Sequence, residues 1–330
     1  MKLTQSIRMM TLAILMAPIL VALGASTAAA QSSIPRVGVL TAGLTYDPAL
    51  EGLREGLAKL GFREDKNLKL IVEDSKGDMK SFAARAVKLT EAKPDVLVTV
   101  AAAPSVAAKH ASQSIPIVFT VVGDPVHSQL VANFASSGCN LTGVTSHSTP
   151  LSGKRLELLK DLVPKAKAVL AIVSAKGITA QLSSRLLEEA GRKLGIQILR
   201  REVSSVDDIE KVLAETTAGK VDAIFHVPSV LVGNQMESII AKAKKENLPL
   251  IVHEESLVKM GALAGYGADF RLLGAQAAQL VGKILKGAKP AEIPVETPDK
   301  LVLSINMATA KAIGLKVPRK VLERADRLVD

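Results

Sequence analysis

Short runs of β-branched and apolar residues alternate with helical segments of about ten to sixteen residues from Arg36 almost to the end of the chain, the pattern of parallel sheets covered by helices on both faces. In the first half the runs are Arg36 to Thr41, Leu68 to Glu73, Val96 to Val100 and Ile117 to Val122. Each is nearly continuous in apolar residues, as a strand buried on both faces is. Helices fit between them at Pro48 to Leu60, Lys80 to Glu91 and Pro104 to Ala111; in the first, Leu50, Leu53, Leu57 and Leu60 share one face and Gly61 stops it. After an amphipathic helix from Ser152 to Val163, ended by Pro164, the rhythm restarts. Strands are expected at Ala168 to Val173, Gln197 to Val203, Ala223 to Val227, Leu250 to Val252 and Leu263 to Tyr266, with Leu182 to Leu194 and Glu237 to Glu246 the clearest helices between them.

The expected fold is therefore α/β, two doubly wound parallel-sheet lobes with a ligand cleft between them. The last stretch, Asp269 to Asp330, is too little for a third domain: a helix Leu272 to Leu285, a Pro-rich linker Gly287 to Pro298, a strand Leu301 to Asn306 and a helix Ala308 to Ile313. It must pack on what already exists, so the chain crosses back between lobes. Residues 34–148 with about 268–290 are expected to form lobe 1, and 149–267 with about 298–330 lobe 2.

Residues 1–30 read as a cleavable export signal. Lys2 and Arg8 give a basic start, Met9 to Leu23 is apolar, and Ala28-Ala29-Ala30 precedes Gln31. The apolar run is shorter than the roughly 20 residues that span a bilayer, and Pro18 interrupts it. No Cys follows the leader, so the mature chain is expected to be soluble outside the cytoplasm without a lipid anchor. Cys139 is the only cysteine, which excludes an intramolecular disulfide and a thiolate zinc cluster.

The formal charge of +10 falls to +8 once Lys2 and Arg8 leave with the leader, and the basic residues are spread along the chain. Nucleic-acid binding asks for a clustered basic face with stacking aromatics, whereas this chain has no Trp, two Tyr and six Phe. No nucleic-acid partner is expected.

In open parallel sheets, ligands bind beyond the carboxyl ends of the strands, where helix N-termini present free N–H groups. The residues directly after the predicted strands are small, polar or turn-forming, and the candidates among them are Thr41, Ala42, Ala103, Ser105, Gly123, Asp124, Ser174, Ser229, Glu254 and Tyr266. Asp124, in the rigid turn Gly123-Asp124-Pro125, has two readings: acceptor for a ligand ammonium or hydroxyl, or cap of the next helix. The same choice stands for Glu254. Pro104-Ser105 opens a predicted helix that presents N–H groups to a ligand carboxylate. Tyr266 offers either a ring over a ligand or a core ring with a satisfied hydroxyl. Tyr46, Phe119 and Phe225 are further rings within reach of a cleft.

A resemblance sharpens this. Arg36-Val-Gly-Val-Leu40, the helix containing Glu55-Gly-Leu-Ala-Lys-Leu-Gly61, Ile115-Pro-Ile-Val-Phe-Thr-Val-Val-Gly-Asp-Pro-Val126, Asn140-Leu-Thr-Gly-Val144, Lys154-Arg-Leu-Glu-Leu-Leu-Lys160 and Ile284-Leu-Lys-Gly-Ala-Lys-Pro290 occur in this order. So does the ending, Ile305-Asn306, Thr309 to Leu315 and Pro318 to Ala325. Together they resemble the ABC-transporter substrate-binding family typified by tryptophan and tyrosine importers, across essentially the whole mature chain. The resemblance implies the type I periplasmic-binding fold and a periplasmic, monomeric receptor. Such a receptor captures a small-molecule solute, possibilities including an amino acid or an aromatic compound, by hinge closure and delivers it to permease transmembrane subunits with a separate ATPase. It implies ligand contacts from the loops at Thr41, Ser105, Gly123-Asp124-Pro125, Ser174, Ser229 and Tyr266. This chain departs from the family pattern in two loops: Ala101-Ala102-Ala103 replaces a Gly/Thr-rich stretch, and Ser174-Ala175-Lys176-Gly177 stands where an Asn-Pro pair is common.

Enzyme motifs are missing or isolated. Gly153-Lys154, Gly219-Lys220 and Gly282-Lys283 lack the following Ser or Thr of a phosphate-binding loop, so ATP hydrolysis belongs elsewhere. Neither G-x-S-x-G nor H-E-x-x-H occurs. Ser256-Leu-Val-Lys259 matches S-x-x-K without its K-T-G or S-D-N partners, and the five histidines have no metal-ligand spacing. The expectation is a receptor with no cofactor and no metal, not an enzyme. A periplasmic sensing subunit using the same cleft is the alternative, with an exported enzyme behind it. A DNA-binding regulator of the same fold would need a helix-turn-helix where the export signal stands.

Overall fold

The strands that read as unbroken apolar runs lie inside sheets covered on both faces. The computed structural model describes residues 34–330. In it, β1 (Arg36–Thr41), β2 (Lys69–Asp74), β3 (Val96–Val100), β4 (Ile117–Val122) and β5 (Leu141–Thr145) form a parallel sheet in the order β2-β1-β3-β4-β5. β3, β4 and β5 are buried at every position, while the edge strand β2 is half open. Helices α1 (Asp47–Lys59), α2 (Phe82–Glu91) and α3 (Ala102–Ala111) make the crossovers. β5 escapes the sequence pattern because Gly143 splits a five-residue run; its backbone needs that glycine, since a Cβ there would lie 2.2 Å from the Phe119 carbonyl oxygen.

The second sheet holds β6 (Ala168–Ser174), β7 (Gln197–Val203), β8 (Ala223–His226), β9 (Leu250–Val252), β10 (Ala264–Ala268), β11 (Leu301–Asn306) and β12 (Arg327–Val329), in the order β12-β11-β10-β9-β8-β6-β7. α4 (Ser152–Leu162) leads into it. α5 (Ile178–Leu194), α6 (Val206–Glu215), α7 (Val230–Gly233), α8 (Met236–Lys245) and α9 (Glu255–Lys259) connect its parallel strands. One apolar cluster fills each face, with Val169, Phe225 and Ile305 on one side and Ile172, Ile224 and Leu257 on the other. The sheet is not wholly parallel: β11 runs antiparallel to β10. The reason is the route of the chain, which leaves the carboxyl end of β10, visits the first sheet and re-enters at that same end, so that Leu301 pairs with Ala268.

That visit is made by α10 (Phe270–Leu285), which packs on the first sheet and contributes Leu273, Ala277 and Val281 to its core. α10 meets α1 at backbone distance. A Cβ on Gly52 would sit 1.8 Å from the Arg271 carbonyl oxygen, and one on Gly274 would sit 1.9 Å from that of Ala49. The following segment, expected as a linker, instead lines the edge of the first sheet: Val295 N–H donates to Phe134 O (2.8 Å), Glu296 N–H to Gly143 O (2.9 Å) and Thr145 N–H to Glu296 O (2.9 Å). The chain then enters β11, and α11 (Met307–Ala312) and α12 (Arg319–Leu322) precede β12. The backbone thus passes between sheets three times, at Ser146 to Leu151, at Ala268-Asp269 and before β11. The expected export signal, residues 1–30, lies outside the described residues, and among these no helix is long and apolar enough to cross a membrane.

Candidate functional site

The carboxyl ends of β3 to β5 and of β6, β8 and β9 enclose a cavity of about 390 Å³, whose lining comes from both sheets and from the first crossing. Ala101 to Ala103, Val106 and Ala107 form one wall with Phe82 and Met79; Ser174, Lys176, Gly177, Ser229 and Val230 form the facing one. Ser146, Ser148 and Thr149, the crossing after β5, make the base together with Tyr46 and His253.

Two residues of the lining hold backbone conformations that side chains disfavour. Ala101, which precedes α3, has φ +83° and ψ 164°, a region almost reserved for glycine. Val121, β-branched, has φ +58°, at the point where the β4–β5 register shifts between Thr120 and Val122. The bulge releases Val121 from the ladder and turns it to the cavity. Strain gathered on the ligand-facing ends of two adjacent strands is characteristic of a binding site, where the surroundings over-determine the backbone.

Of the ten candidates, Ala103, Gly123, Ser174 and Ser229 line the cavity. The other six lie elsewhere. Thr41 is fully buried with its hydroxyl accepting from Gly43 N–H (3.1 Å), and Ala42 is part of the core. Helix α3 starts at Ala102, two residues before the predicted Pro104, so Ser105 falls inside its first turn. There its hydroxyl donates to Ala101 O (2.7 Å) and meets Thr99 Oγ1 (2.8 Å). Asp124 Oδ1 accepts from His127 N–H (2.9 Å), the capping role. Glu254 caps α9, accepting from Ser256 N–H (2.7 Å), Leu257 N–H (3.1 Å) and the Ser256 hydroxyl (2.5 Å). Tyr266 packs half-buried against the second sheet's cluster. Phe119 and Phe225 are fully buried in the two cores.

Sequence reasoning missed Phe82, Ser146, Ser148 and Thr149. The polar run Ser146-His147-Ser148-Thr149 was readable as a loop after a strand, but β5 itself went unrecognised. Gly123 has a physical reason to be glycine, because a Cβ would stand 2.8 Å from both the Ser148 and Thr149 hydroxyl oxygens.

Beneath the base lies a chain of rings. Tyr46 stacks on Phe270 (centroids 5.9 Å, planes 8° apart), His253 meets Phe270 edge-on (5.5 Å), and His253 Nδ1 lies 3.2 Å from His226 Nδ1. Beside them Arg155 is fully buried without an ion-pair partner among the described residues. Its Nη2 donates to Ser148 O (2.7 Å) and its Nη1 to Tyr266 O (3.4 Å), tying the first crossing to β10, and its guanidinium carbon lies 5.9 Å from the Phe225 ring centroid. Burial lowers the Arg155 pKa to about 9. Burial first, then Arg155, brings His226 down to about 3. The same burial, with His226 and Arg155 close by, holds His253 well below its ordinary value. Burial lifts Glu254 to about 7, and burial with the nearby Glu254 raises Tyr46.

No hydrolytic arrangement accompanies this geometry at the S-x-x-K pattern, where Ser256 bonds Glu254 and Lys259 pairs with Glu255 at 2.7 Å. Among the described residues no three His, Cys, Asp or Glu side chains converge as a metal site.

The family model described as ABC transporter substrate binding protein matches residues 37–329. This chain belongs to that family. Its members are receptors that bind small-molecule solutes and work with a permease and an ATPase, and this chain is such an extracytoplasmic substrate-binding protein. The tyrosine-binding protein of Clostridioides difficile strain R20291 is 28% identical over 272 residues, covering 82% of this chain and 78% of that one. A domain solved in complex with L-Trp from Streptococcus pneumonia superposes with a TM-score of 0.84 at 25% identity, over 90% of this chain and 100% of that one. A ligand-free, open substrate binding protein with adhesive properties from Clostridium difficile gives 0.67 at 26% identity, over 90% and 99%. At nearly equal identity and coverage, this substrate-binding protein superposes better on the ligand-bound relative.

Proposed function

We propose that this chain captures one small organic solute, of amino-acid or aromatic-acid size, between its lobes in the periplasm and hands it to the permease. It does no chemistry of its own, binds no nucleic acid and works as a monomer. Residues 34–148 with about 268–290 move as one body and 149–267 with about 298–330 as the other. The observation that carries this reading is the cavity at facing strand ends, lined from both sheets and floored by the first crossing. A ligand held there touches both lobes, so its differential affinity favours the closed form. The solutes named for the tyrosine-binding protein and for the L-Trp complex support the size class, and Phe82 and Tyr46 supply the rings.

Thermal unfolding of the ligand-stripped chain against amino acids, organic acids, sugars and nucleosides tests it. A ligand at about a hundred times its Kd adds roughly 2.7 kcal/mol and raises the midpoint by a few degrees. A shift confined to one chemical class is expected; a flat response across the panel from a folded sample counts against a receptor.

A further inference from the structure

Among the described residues, the cavity lining contains no Asp and no Glu. We propose that the ligand is an organic carboxylate with an apolar body and no ammonium group, rather than a zwitterionic amino acid; this rests on the receptor reading above. The carboxylates that stood ready to receive an ammonium are occupied. Asp124 holds its own turn through the His127 N–H, and both Glu254 oxygens are taken by the start of α9. A cation enclosed without a counter-charge costs several kcal/mol, and here it would also share the cleft with positively charged residues. Lys80 and Lys176 stand at the lining, and the buried guanidinium of Arg155 lies behind it, bonded to the carbonyl of the lining residue Ser148.

The same features suit an anion. The N-terminal end of the ten-residue α3 opens on the cavity at Ala102-Ala103, presenting the positive end of its dipole. Independently, Thr149 is 1% exposed and lines the cavity, yet its hydroxyl has no hydrogen-bond partner. A buried hydroxyl is seldom left so. It and the lysines supply donors for a carboxylate, while the alanine and valine wall with Phe82 receives the apolar remainder.

Binding to the full mature chain, followed by calorimetry and thermal shift, should use matched pairs that differ only in the α-ammonium: 3-phenylpropanoate and L-phenylalanine, 3-(4-hydroxyphenyl)propanoate and L-tyrosine, indole-3-propanoate and L-tryptophan, 4-methylpentanoate and L-leucine. The deaminated acid of at least one pair is expected to bind about ten-fold or more tightly than its amino acid, with the preference reduced in Lys176→Gln. Equal or tighter binding of the amino acid in every responding pair overturns the proposal and leaves the receptor reading intact. So does silence from all pairs with a shift from a sugar or nucleoside. Silence from every solute class removes both.

Discussion

His226 and His253 face each other at 3.2 Å beneath the cleft, with Arg155 close to both, so neither imidazole can take a proton cheaply. In the unfolded chain each binds one near pH 6.5, whereas folded His226 resists until about 3. The unfolded state therefore gains protons first, and stability falls as pH drops below 6.5. Glu254 has the opposite sign: its raised pKa, about 7 against 4.5, contributes stability in full below 4.5 that is lost as pH rises through 7. Two imidazoles against one carboxyl leave about one net proton between pH 6.5 and 4.5. Urea unfolding at pH 6.5 and pH 5 is expected to show a loss of about 2 kcal/mol on the acid side, reduced in His226→Gln. A stability that climbs on acidification would mean the imidazoles are not buried in neutral form. The residues with functional weight here are those whose neighbours come from distant sequence. Thr149 and Arg155 looked ordinary in the sequence because what defines them is the packing around them.

Among the elements, the α1–α10 pair ties the returning chain to the first sheet, and it does so through glycine rather than through large apolar side chains. Gly52 and Gly274 each lie where a Cβ would overlap a carbonyl of the facing helix. Gly52→Ala and Gly274→Ala are each expected to cost about 1–3 kcal/mol or more, as over-packing does. Gly219→Ala, with nothing within 4 Å, should stay within about 0.5 kcal/mol of the parent. Chemical denaturation of the three variants checks this; equal costs at all three positions would show that helix packing is not the cause. Elements with strong periodicity, such as α1, α5 and β3, were legible from composition alone. β5, α7, α9 and β12 were not, because Gly143 breaks the apolar run of β5, α7 and α9 are little more than one turn, and β12 is largely exposed. The start of α3 shifted by two residues since Ala102-Ala103 are better helix formers than the Pro signal allowed, and that shift moved Ser105 off the cavity.

At the scale of the whole molecule, three chain crossings join two sheets, and Arg155 ties the first of them, through the Ser148 carbonyl, to the Tyr266 carbonyl of β10. A hinge of this kind permits rotation of one lobe on the other while keeping the base of the cleft in register. Small-angle scattering of the ligand-stripped chain is expected to give a larger radius of gyration than this structure. Saturating ligand should bring it down to that of the structure. A radius that does not change at saturation would remove hinge closure from the mechanism. The apolar runs and their helical spacers determined the α/β class, the two series of strands and the return of the last sixty or so residues, because burial on both faces leaves a local signature in residue type. The tertiary structure alone decided the antiparallel β11, the place of the segment before it and the identity of the cleft lining. Those depend on which strand ends face one another and on which carboxylates are already bonded to backbone N–H groups, and neither leaves a trace in neighbouring residues.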